Sequence, residues 1–435
     1  MKEILKEPLI NCLRGMRRKA HGAQKPRHIK RIIEVASTAQ RSDSPAQAIN
    51  QRFLRRQFIN SFGKEPEAFF FAPGRVNLIG EHIDYNGGCV FPCALSLGTY
   101  AAASKSTDGK IRFYSVNFEN SGIIEVDINA VKYKKEDGWT NYPKGVVHVL
   151  KAAGHKIETG FDVVFHGDIP LGAGLSSSAS IEVCAAVLLD DFYNLKLSPV
   201  EMAKISQTAE NRFVGMNCGI MDQFASALGK KDNAILLNCD TLEYKYVPLE
   251  LKDATIVIAD TNKSRELAGS KYNERRAECG NALKMLQKSI KIKDLCELTP
   301  DTFEEHRSLI TDRVAEKRAK HAVYENARTL KAFELLNNKD IDAFGKLMND
   351  SHVSLRDDYE VSCKELDVMT GLAWKQKGVM GARMTGAGFG GCAVCIVKTA
   401  GVEDFKNSVG IAYENATGLK ADFYTAQTGR GAGKL

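Results

Sequence analysis

Long apolar segments are absent from this chain of 435 residues. No stretch approaches the ~18 uninterrupted apolar residues that a membrane-spanning helix needs. No apolar run of roughly 7–15 residues precedes a small-residue cleavage site near the N-terminus. We therefore expect neither a membrane protein nor a conventionally secreted one. Internal repeats and low-complexity tracts are absent too, and the 44% apolar content is typical of a globular protein, not of a collagen, a coiled coil or a disordered chain.

Surplus positive charge is missing from most of the chain. The formal net charge is +7, but residues 1–60 contain 14 Lys and Arg against 4 Asp and Glu, so the remaining 375 residues carry −3. A broad surface that neutralises a nucleic-acid backbone is therefore not expected, and we predict no nucleic-acid partner. The surplus indicates a basic N-terminal extension, assigned to residues 1–50. A nucleic-acid or membrane-surface arm is the alternative interpretation of that segment.

Zinc-type cysteine spacing is also absent. The 11 cysteines are odd in number and several lie in apolar segments, which is typical of buried reduced thiols in a cytoplasmic protein. Cys392 and Cys395 match C-x-x-C, but no second pair follows at zinc spacing, and positions i and i+3 of a strand face opposite sides. We predict a cytoplasmic protein in which this pair binds no metal.

From about residue 66 the sequence mixes strand and helix patterns, and the fold class that we predict is α+β. Short apolar runs predict buried strands at 67–72, 161–166 and 391–397. A helix between 174 and 190 is predicted from apolar residues at helical spacing, namely Ile181, Cys184, Ala185 and Leu188. Two more helices are expected within 315–350. We assign two domains after the extension, 51–228 and 229–435.

A cluster of charged residues lies in the segment GRVNLIGEHIDYNGG (74–88). Arg75, Glu81, His82 and Asp84 fall within ten residues bounded by glycines, directly after a predicted buried strand. Carboxylates accept hydrogen bonds from neighbouring hydroxyls, so two of them with a histidine could clamp a polyhydroxylated ligand. A polar surface loop with a Glu–Arg pair explains the segment equally well.

The segment GDIPLGAGLSSSA (167–179) leaves a predicted strand and opens a predicted helix. Gly172 and Gly174 let backbone N–H groups converge, and the helix N-terminus favours an anion such as a nucleotide phosphate. The serines at 176–178 add hydroxyls that can reach phosphate oxygens or magnesium. A helix cap with spare serines is the alternative, and the order strand, glycine loop, serines, helix favours phosphate binding.

A second glycine-rich segment, GARMTGAGFGG (381–391), runs into a strand, whereas a dinucleotide fingerprint opens a helix. It is interpreted as a tight turn, or as a loop that closes over a nucleotide. Between the two glycine segments, Glu210 precedes Asp222 by twelve residues. Asp222 is either a helix cap, the better interpretation of that segment alone, or a base near a hydroxyl nucleophile.

Together these segments resemble the GHMP small-molecule kinases, and GRVNLIGEHIDYNGG is similar to the signature of the galactokinase branch. PLGAGLSSSAS (170–180) resembles the family's phosphate loop and GARMTGAGFGGC (381–392) its third motif, while GIMDQFAS (219–226) and SHVSLRDDYEVSC (351–363) are galactokinase-like. The resemblance covers about residues 50–435. It implies the GHMP kinase fold, with two domains and the active site in the cleft between them.

The resemblance further implies phosphorylation of the anomeric hydroxyl of galactose by ATP with Mg2+, in a monomer or weak homodimer. Asp222 would be the base and Arg75 would lie beside it. Mg2+ would be held by Ser178 and Glu210. The sugar would be read by Glu81, His82, Ile83, Asp84, Gly219 and Tyr272. ATP would be bound by Gly172, Ala173, Gly174, Leu175, Ser176, Ser177, Ser178 and, near the adenine, Trp139.

Two positions depart from the family pattern. Ile83 stands where a hydroxyl side chain is usual and Ala387 where glycine is common, and neither change removes a charge. Rival functions are an N-acetylgalactosamine or arabinose kinase and a non-catalytic galactose and ATP sensor. Sensors that resemble this family lack the Ser-Ala step in the phosphate loop, so Ser178-Ala179 favours an enzyme.

Overall fold

The computed structural model describes residues 45–170, 174–251, 253–264 and 268–435. Most of the predicted extension (1–50) lies outside these ranges, as do Gly172 and Ala173 of the predicted phosphate loop. Residues 54–435 form one compact unit. The predicted domain boundary between 228 and 229 stays a prediction.

Within the described ranges, runs of strands and runs of helices follow one another along the chain. The strands are β1 (Ala68–Asn77), β2 (Cys89–Val90), β3 (Pro92–Ser106), β4 (Lys110–Ser115), β5 (Ile124–Asp127), β6 (Gly160–Gly167), β7 (Asn233–Asn238), β8 (Tyr244–Pro248), β9 (Ala254–Asp260), β10 (Val379–Met384), β11 (Cys392–Lys398), β12 (Asp422–Ala426) and β13 (Gly433–Lys434). The α-helices are α1 (Pro45–Phe62), α2 (Asn141–Ala152), α3 (Ser177–Tyr193), α4 (Pro199–Thr208), α5 (Met221–Leu228), α6 (Ala268–Leu286), α7 (Pro300–His306), α8 (Arg313–Asn337), α9 (Ile341–Asp357), α10 (Lys364–Trp374) and α11 (Val402–Thr417).

Three sheets organise these elements. A six-stranded sheet has the order β13-β1-β3-β6-β4-β5, in which β4 and β6 are parallel and the other neighbours are antiparallel. A four-stranded antiparallel sheet has the order β10-β11-β9-β12, and a three-stranded one the order β2-β7-β8. Helix α3 packs on β1 and β3, and α9 packs on β10. The predicted mixed α+β class is confirmed.

The predicted elements are present, with two informative shifts at their ends. The strand predicted at 67–72 continues to Asn77, and its register with β3 shifts between Pro73 and Arg75. The helix predicted from 174 begins at Ser177, because Ser176 has a left-handed backbone (φ 62°, ψ 49°). Both irregularities lie beside the candidate site described below, where β-bulges and strained residues are frequent.

The C-x-x-C pair lies in β11, as predicted. Cys392 packs in the cluster that contains Phe344 and Met348, whereas Cys395 packs in the cluster that contains Phe405 and Tyr413. The two thiols therefore face opposite sides of the sheet. No helix in the described part of the chain has both the length and the apolar character needed to cross a membrane.

Candidate active site

A cavity of about 320 Å³ lies where five parts of the chain meet: the end of β1, the loop 78–88, the start of α3, the start of α5 and the β10–β11 turn. The loop 78–88 is called the sugar loop below, after the ligand predicted for it. It brings together most of the residues predicted from sequence, namely Arg75, Glu81, His82, Asp84, Gly174, Ser176, Ser177, Ser178, Glu210, Gly219, Asp222 and Tyr272. Ala387 of the third motif also lines it. The sugar-loop and phosphate-loop candidates thus share one cavity although up to a hundred residues separate them in sequence.

An arginine–carboxylate pair lies in this cavity. Arg75 Nε donates to Asp222 Oδ1 and Arg75 Nη2 to Oδ2, both at 2.7 Å, and Nη1 donates to the carbonyl of Gly174 at 2.8 Å. This bidentate geometry orients the carboxylate as well as neutralising it. Asp222 lies in the first turn of α5, but the N-cap of this helix is Ile220, so the helix-cap interpretation of Asp222 is wrong; its carboxylate lies in the cavity instead.

The phosphate loop also contacts Asp222. Ser176 Oγ donates to Asp222 Oδ2 at 2.5 Å. The Arg75 backbone N–H donates to the Leu175 carbonyl at 3.2 Å, and a Cβ on Gly74 would lie 2.6 Å from that same oxygen. The loop therefore approaches β1 this closely only because Gly74 has no side chain.

A second arginine–carboxylate pair holds the sugar loop. Arg383 from β10 donates through Nη2 to Glu81 Oε2 at 2.6 Å and through Nη1 to the Asn77 carbonyl at 2.8 Å. Both side chains are buried. Burial raises the pKa of Glu81, and the charges of Arg383 and Arg75 oppose that rise.

His82 faces the cavity in a strained conformation, with φ of 62°. Its Nδ1 lies 2.8 Å from the Tyr85 hydroxyl and its Nε2 lies 3.2 Å from the Ala387 carbonyl. Burial, with a contribution from His321, lowers the pKa of His82 to about 3. The imidazole is therefore neutral at physiological pH and acts as a hydrogen-bonding group without charge.

Asp84 and Gly219 form one wall of the cavity. A Cβ on Gly219 would lie 1.8 Å from Asp84 Oδ2, so only glycine fits beside this carboxylate. Burial raises the pKa of Asp84 to about 7, and the charges of Asp222 and Glu81 add to the effect. Tyr272 lies close by, with its ring centroid 5.5 Å from that of His82.

Ser178 and Glu210 are neighbours at the phosphate end, as predicted. Both line the cavity, and Gln223 Nε2 donates to Glu210 Oε2 at 2.6 Å. Burial and the charge of Asp222 raise the pKa of Glu210 to about 7. A further buried carboxyl, Glu182, accepts from the same Gln223 nitrogen at 3.2 Å, and its pKa is raised well above the ordinary value by burial and by Glu210.

Trp139 lies in a neighbouring cavity of about 140 Å³, which shares Ser177 and Ser178 with the first. Its ring is stacked with Phe118 at a centroid distance of 6.1 Å and an interplanar angle of 12°. The buried indole Nε1 has no hydrogen-bond partner among the described residues. An aromatic wall with a spare donor suits a flat heterocycle that carries acceptor nitrogens.

Two predicted residues do not reach the cavity. Ile83 is fully buried and packs in the main core, where a Cβ on Gly88 would lie 2.9 Å from it. Placing Ile83 among the sugar contacts is therefore corrected to a packing role, because its apolar side chain points away from a polar cavity. Leu175 is likewise a core residue, although its carbonyl accepts from Arg75.

The sequence interpretation missed Arg383 and Glu325. Arg383 lies within the third motif, where attention fell on the glycines, although a charged residue in a strand that is otherwise apolar was a signal. Glu325 lies inside α8 with no motif around it, and no pattern in the sequence indicated that it would contact the sugar loop.

Three family models match the chain. The galactokinase galactose-binding signature matches residues 56–105, the GHMP kinase N-terminal domain residues 141–230, and the GHMP kinase C-terminal domain residues 332–415. Galactokinase of Clostridium perfringens is 55% identical over 382 residues, which is 88% of this chain and 99% of that protein. Galactokinase of Bacillus subtilis is 53% identical over 383 residues, covering 88% and 98% of the two chains.

Solved structures agree. The crystal structure of Lactococcus lactis galactokinase complexed with galactose superposes with a TM-score of 0.87 at 48% identity, covering 88% of this chain and 100% of that one. A mevalonate kinase structure has a TM-score of 0.58 at 20% identity, covering 83% and 98% of the two chains, and so shares the fold alone. The GHMP kinase fold implied by the motifs is thereby confirmed, and the chain is a sugar kinase that belongs to the galactokinase family.

Proposed function

We propose that this kinase transfers the terminal phosphoryl group of ATP to the C1 hydroxyl of α-D-galactose, giving galactose 1-phosphate. The observation that carries the proposal is the carboxylate of Asp222, held by Arg75 and Ser176 in one cavity with the sugar-loop residues and the serines before α3. A phosphoryl acceptor must lie between the sugar pocket and the phosphate loop, and this is where the carboxylate of Asp222 lies.

In this reaction the C1 oxygen bonds to the γ-phosphorus while the bond from phosphorus to the ADP oxygen breaks. The hydroxyl proton passes to the carboxylate of Asp222. Arg75 orients that carboxylate and offers positive charge to the transferring group. Because such transfers are largely dissociative, the pair contributes through positioning of the acceptor as well as through proton removal.

Glu81, His82, Asp84 and Tyr272 would read the sugar hydroxyls from the opposite wall of the cavity. Both ring nitrogens of His82 already bond Tyr85 and Ala387, so His82 would bond a sugar hydroxyl only by exchanging one of these partners, whereas the two carboxylates accept from hydroxyls. The phosphates of ATP would lie at the N-terminus of α3, where backbone N–H groups and the helix dipole favour anions. The adenine would occupy the cavity beside Trp139.

The residues at the phosphate end fit a magnesium ion. Ser178 and Glu210 supply a hydroxyl and a carboxylate, the oxygen ligands that Mg2+ prefers, and Mg2+ in kinases is completed by phosphate oxygens and water. No cluster of three or more His, Cys, Asp or Glu side chains suited to a metal occurs in the described part of the chain. When bound, the ion would neutralise charge on the ATP phosphates.

An ATP-consumption assay over galactose, N-acetylgalactosamine, arabinose and glucose tests the proposal. We expect turnover with galactose to exceed the others by at least about tenfold, with the product phosphorylated at C1 by NMR, and to require Mg2+. Comparable or faster turnover with N-acetylgalactosamine or arabinose would favour the rival kinases. Binding of galactose and ATP without turnover would favour a sensor.

The expectations of a cytoplasmic location and of a monomer or weak homodimer remain predictions. Sedimentation of the full chain with and without galactose would measure the oligomeric state. For residues 1–50, a steep salt dependence of binding to DNA or anionic vesicles that disappears on deleting this segment would support the arm hypothesis.

A further inference from the structure

The side chain of Arg383 is fully buried and spans two parts of the sugar loop. Its Nη2 donates to Glu81 Oε2 at 2.6 Å, and its Nη1 donates to the carbonyl of Asn77, where β1 ends, at 2.8 Å. Thr385 Oγ1 donates to the same Asn77 carbonyl at 3.3 Å. One side chain from β10 thus fixes both the start of the sugar loop and the carboxylate at its centre.

The backbone of the same loop is held from a different element. Glu325 of α8, itself fully buried, accepts from the N–H groups of Gly80 at 3.0 Å and Glu81 at 3.3 Å, and also from Ser351 Oγ at 2.6 Å. Arg328 Nε donates to its other oxygen at 2.8 Å. Burial raises the pKa of Glu325, but Arg328, His321 and Arg383 outweigh it and lower the pKa to about 2, so the carboxylate is charged.

This arrangement leaves little freedom to Glu81. Its Oε2 is occupied by Arg383, and its backbone is held by Glu325 and, through the Glu81 carbonyl, by His321 Nε2 at 3.1 Å. The Arg383 bond uses one carboxylate oxygen, so Oε1 keeps its acceptor capacity on the cavity side. A carboxylate fixed in this way before the sugar arrives loses no rotamer entropy on binding.

We propose that Arg383 is a positioning residue for sugar recognition, which sets the charge and orientation of Glu81 without itself contacting the sugar. The inference rests on the proposed function, because it assigns Glu81 to the sugar. The third motif (381–392) then also holds the sugar loop. Arg383 bonds Glu81 and the Asn77 carbonyl, and the Ala387 carbonyl lies 3.2 Å from His82 Nε2.

The test is the steady-state kinetics of Arg383→Met, which keeps the length of the side chain and removes its charge and donors. We expect the KM for galactose to rise by about 10- to 100-fold, because a hydrogen bond between charged groups is lost. The KM for ATP should change by less than about threefold. Arg383→Lys keeps the charge and loses the second bond, so its galactose KM should lie between those of Arg383→Met and the parent chain.

A matched control is Arg318→Met. Arg318 is almost as deeply buried and also bonds a carboxylate, with Nε donating to Glu278 at 2.8 Å, but Glu278 does not line the cavity, whereas Glu81, the partner of Arg383, does. We expect this control to lower the melting temperature while leaving the ratio of the two KM values near that of the parent. If Arg383→Met and Arg318→Met change that ratio equally, Arg383 is merely structural and the inference is wrong.

Folding is checked on each variant by its melting temperature with and without ligand. Arg383→Met should lose the increase in melting temperature caused by galactose and keep the increase caused by ATP. Where Arg383→Met yields no folded protein, Arg383→Lys decides, and a galactose KM equal to that of the parent overturns the inference. Failure of the parent chain to phosphorylate galactose would instead contradict the proposed function.

Discussion

The two arginine–carboxylate pairs of the site are alike in chemistry and differ in exposure. In the pair Arg75–Asp222 the side chains are 4% and 26% exposed, whereas in the pair Arg383–Glu81 they are 0% and 3% exposed. Asp222 is bound bidentately and by Ser176, yet a quarter of its side chain stays open to the cavity. Glu81 is nearly sealed in protein.

This difference separates two tasks. A carboxylate that receives a proton must be reachable by the reacting hydroxyl, so the side chain of Asp222 is left partly open to the cavity. A carboxylate that only accepts a hydrogen bond from a ligand can be almost fully enclosed, provided that a buried cation compensates its charge. We therefore expect changes at Asp222 to act mainly on turnover and changes at Glu81 on sugar affinity and stability.

The largest effect is expected for Asp222→Asn. The amide keeps the shape and the contact with Ser176 but cannot take the proton, so kcat should fall by about 10²- to 10⁴-fold. Arg75 loses its bonded carboxylate, but the pair is partly open to the cavity, so the loss of stability should be smaller than in Glu81→Gln, and an ATP analogue should still raise the melting temperature. Near-normal turnover in this variant would mean that Asp222 is not the base and that its task does not differ from that of Glu81.

In Glu81→Gln we expect stability and sugar binding to change more than turnover. The amide leaves the buried charge of Arg383 uncompensated, which costs about 3–5 kcal/mol of folding free energy when a buried pair is broken. The galactose KM should rise about 10- to 100-fold with little change in the KM for ATP. The measurements are urea denaturation and steady-state kinetics on both variants. A smaller stability loss for Glu81→Gln than for Asp222→Asn would contradict the comparison.

Both members of the Arg75–Asp222 pair were predicted from the sequence, but only Glu81 of the Arg383–Glu81 pair. Arg75, Glu81 and Asp222 lie in motifs whose residue types already suggested a sugar and a phosphoryl group, and the fold class followed from the mixed strand and helix patterns. Arg383 and Glu325 were missed because their roles depend on burial against a loop that lies 302 and 244 residues away from them in sequence. No periodicity encodes such a contact, which arises only when β10 and α8 come together at the loop 78–88.

Local geometry set the other limit on prediction. The left-handed backbone of Ser176 and the bulge before Arg75 both aim side chains at Asp222, and neither follows from propensity. Ile83 was placed with the sugar by resemblance to the family signature, yet it packs in the core although Glu81, His82 and Asp84 around it line the cavity. Which way each residue of an irregular loop faces is decided by the final packing.

A smaller effect is expected at the wall beside the two pairs. In Gly219→Ala the new Cβ would meet Asp84 Oδ2, so the carboxylate must turn away from the cavity. We expect the galactose KM to rise about three- to tenfold, in line with the cost of overpacking, while kcat stays within about threefold. Gly215→Ala is a control, because a Cβ there meets no described atom within 4 Å, although its φ of 92° brings some backbone strain. An unchanged KM for Gly219→Ala would show that Asp84 takes no part in sugar binding.

The smallest effect concerns Asp84, the carboxylate that has no arginine bonded to it among the described residues. Burial raises the pKa of Asp84 to about 7, above its value of ~3.9 in an unfolded chain. The folded state therefore holds a proton that the unfolded state releases, so this carboxyl supports folding most at low pH, and its contribution falls as the pH rises from about 4 to about 7. In Asp84→Asn the decline is removed, and we expect its melting temperature to gain a few degrees on the parent chain between about pH 5 and pH 8 without ligand. Thermal unfolding of both proteins across that range measures the difference. A difference in melting temperature between the two proteins that stays constant with pH would mean that Asp84 is already ionised at pH 5. In that case a carboxylate of this site would keep its charge without a bonded arginine.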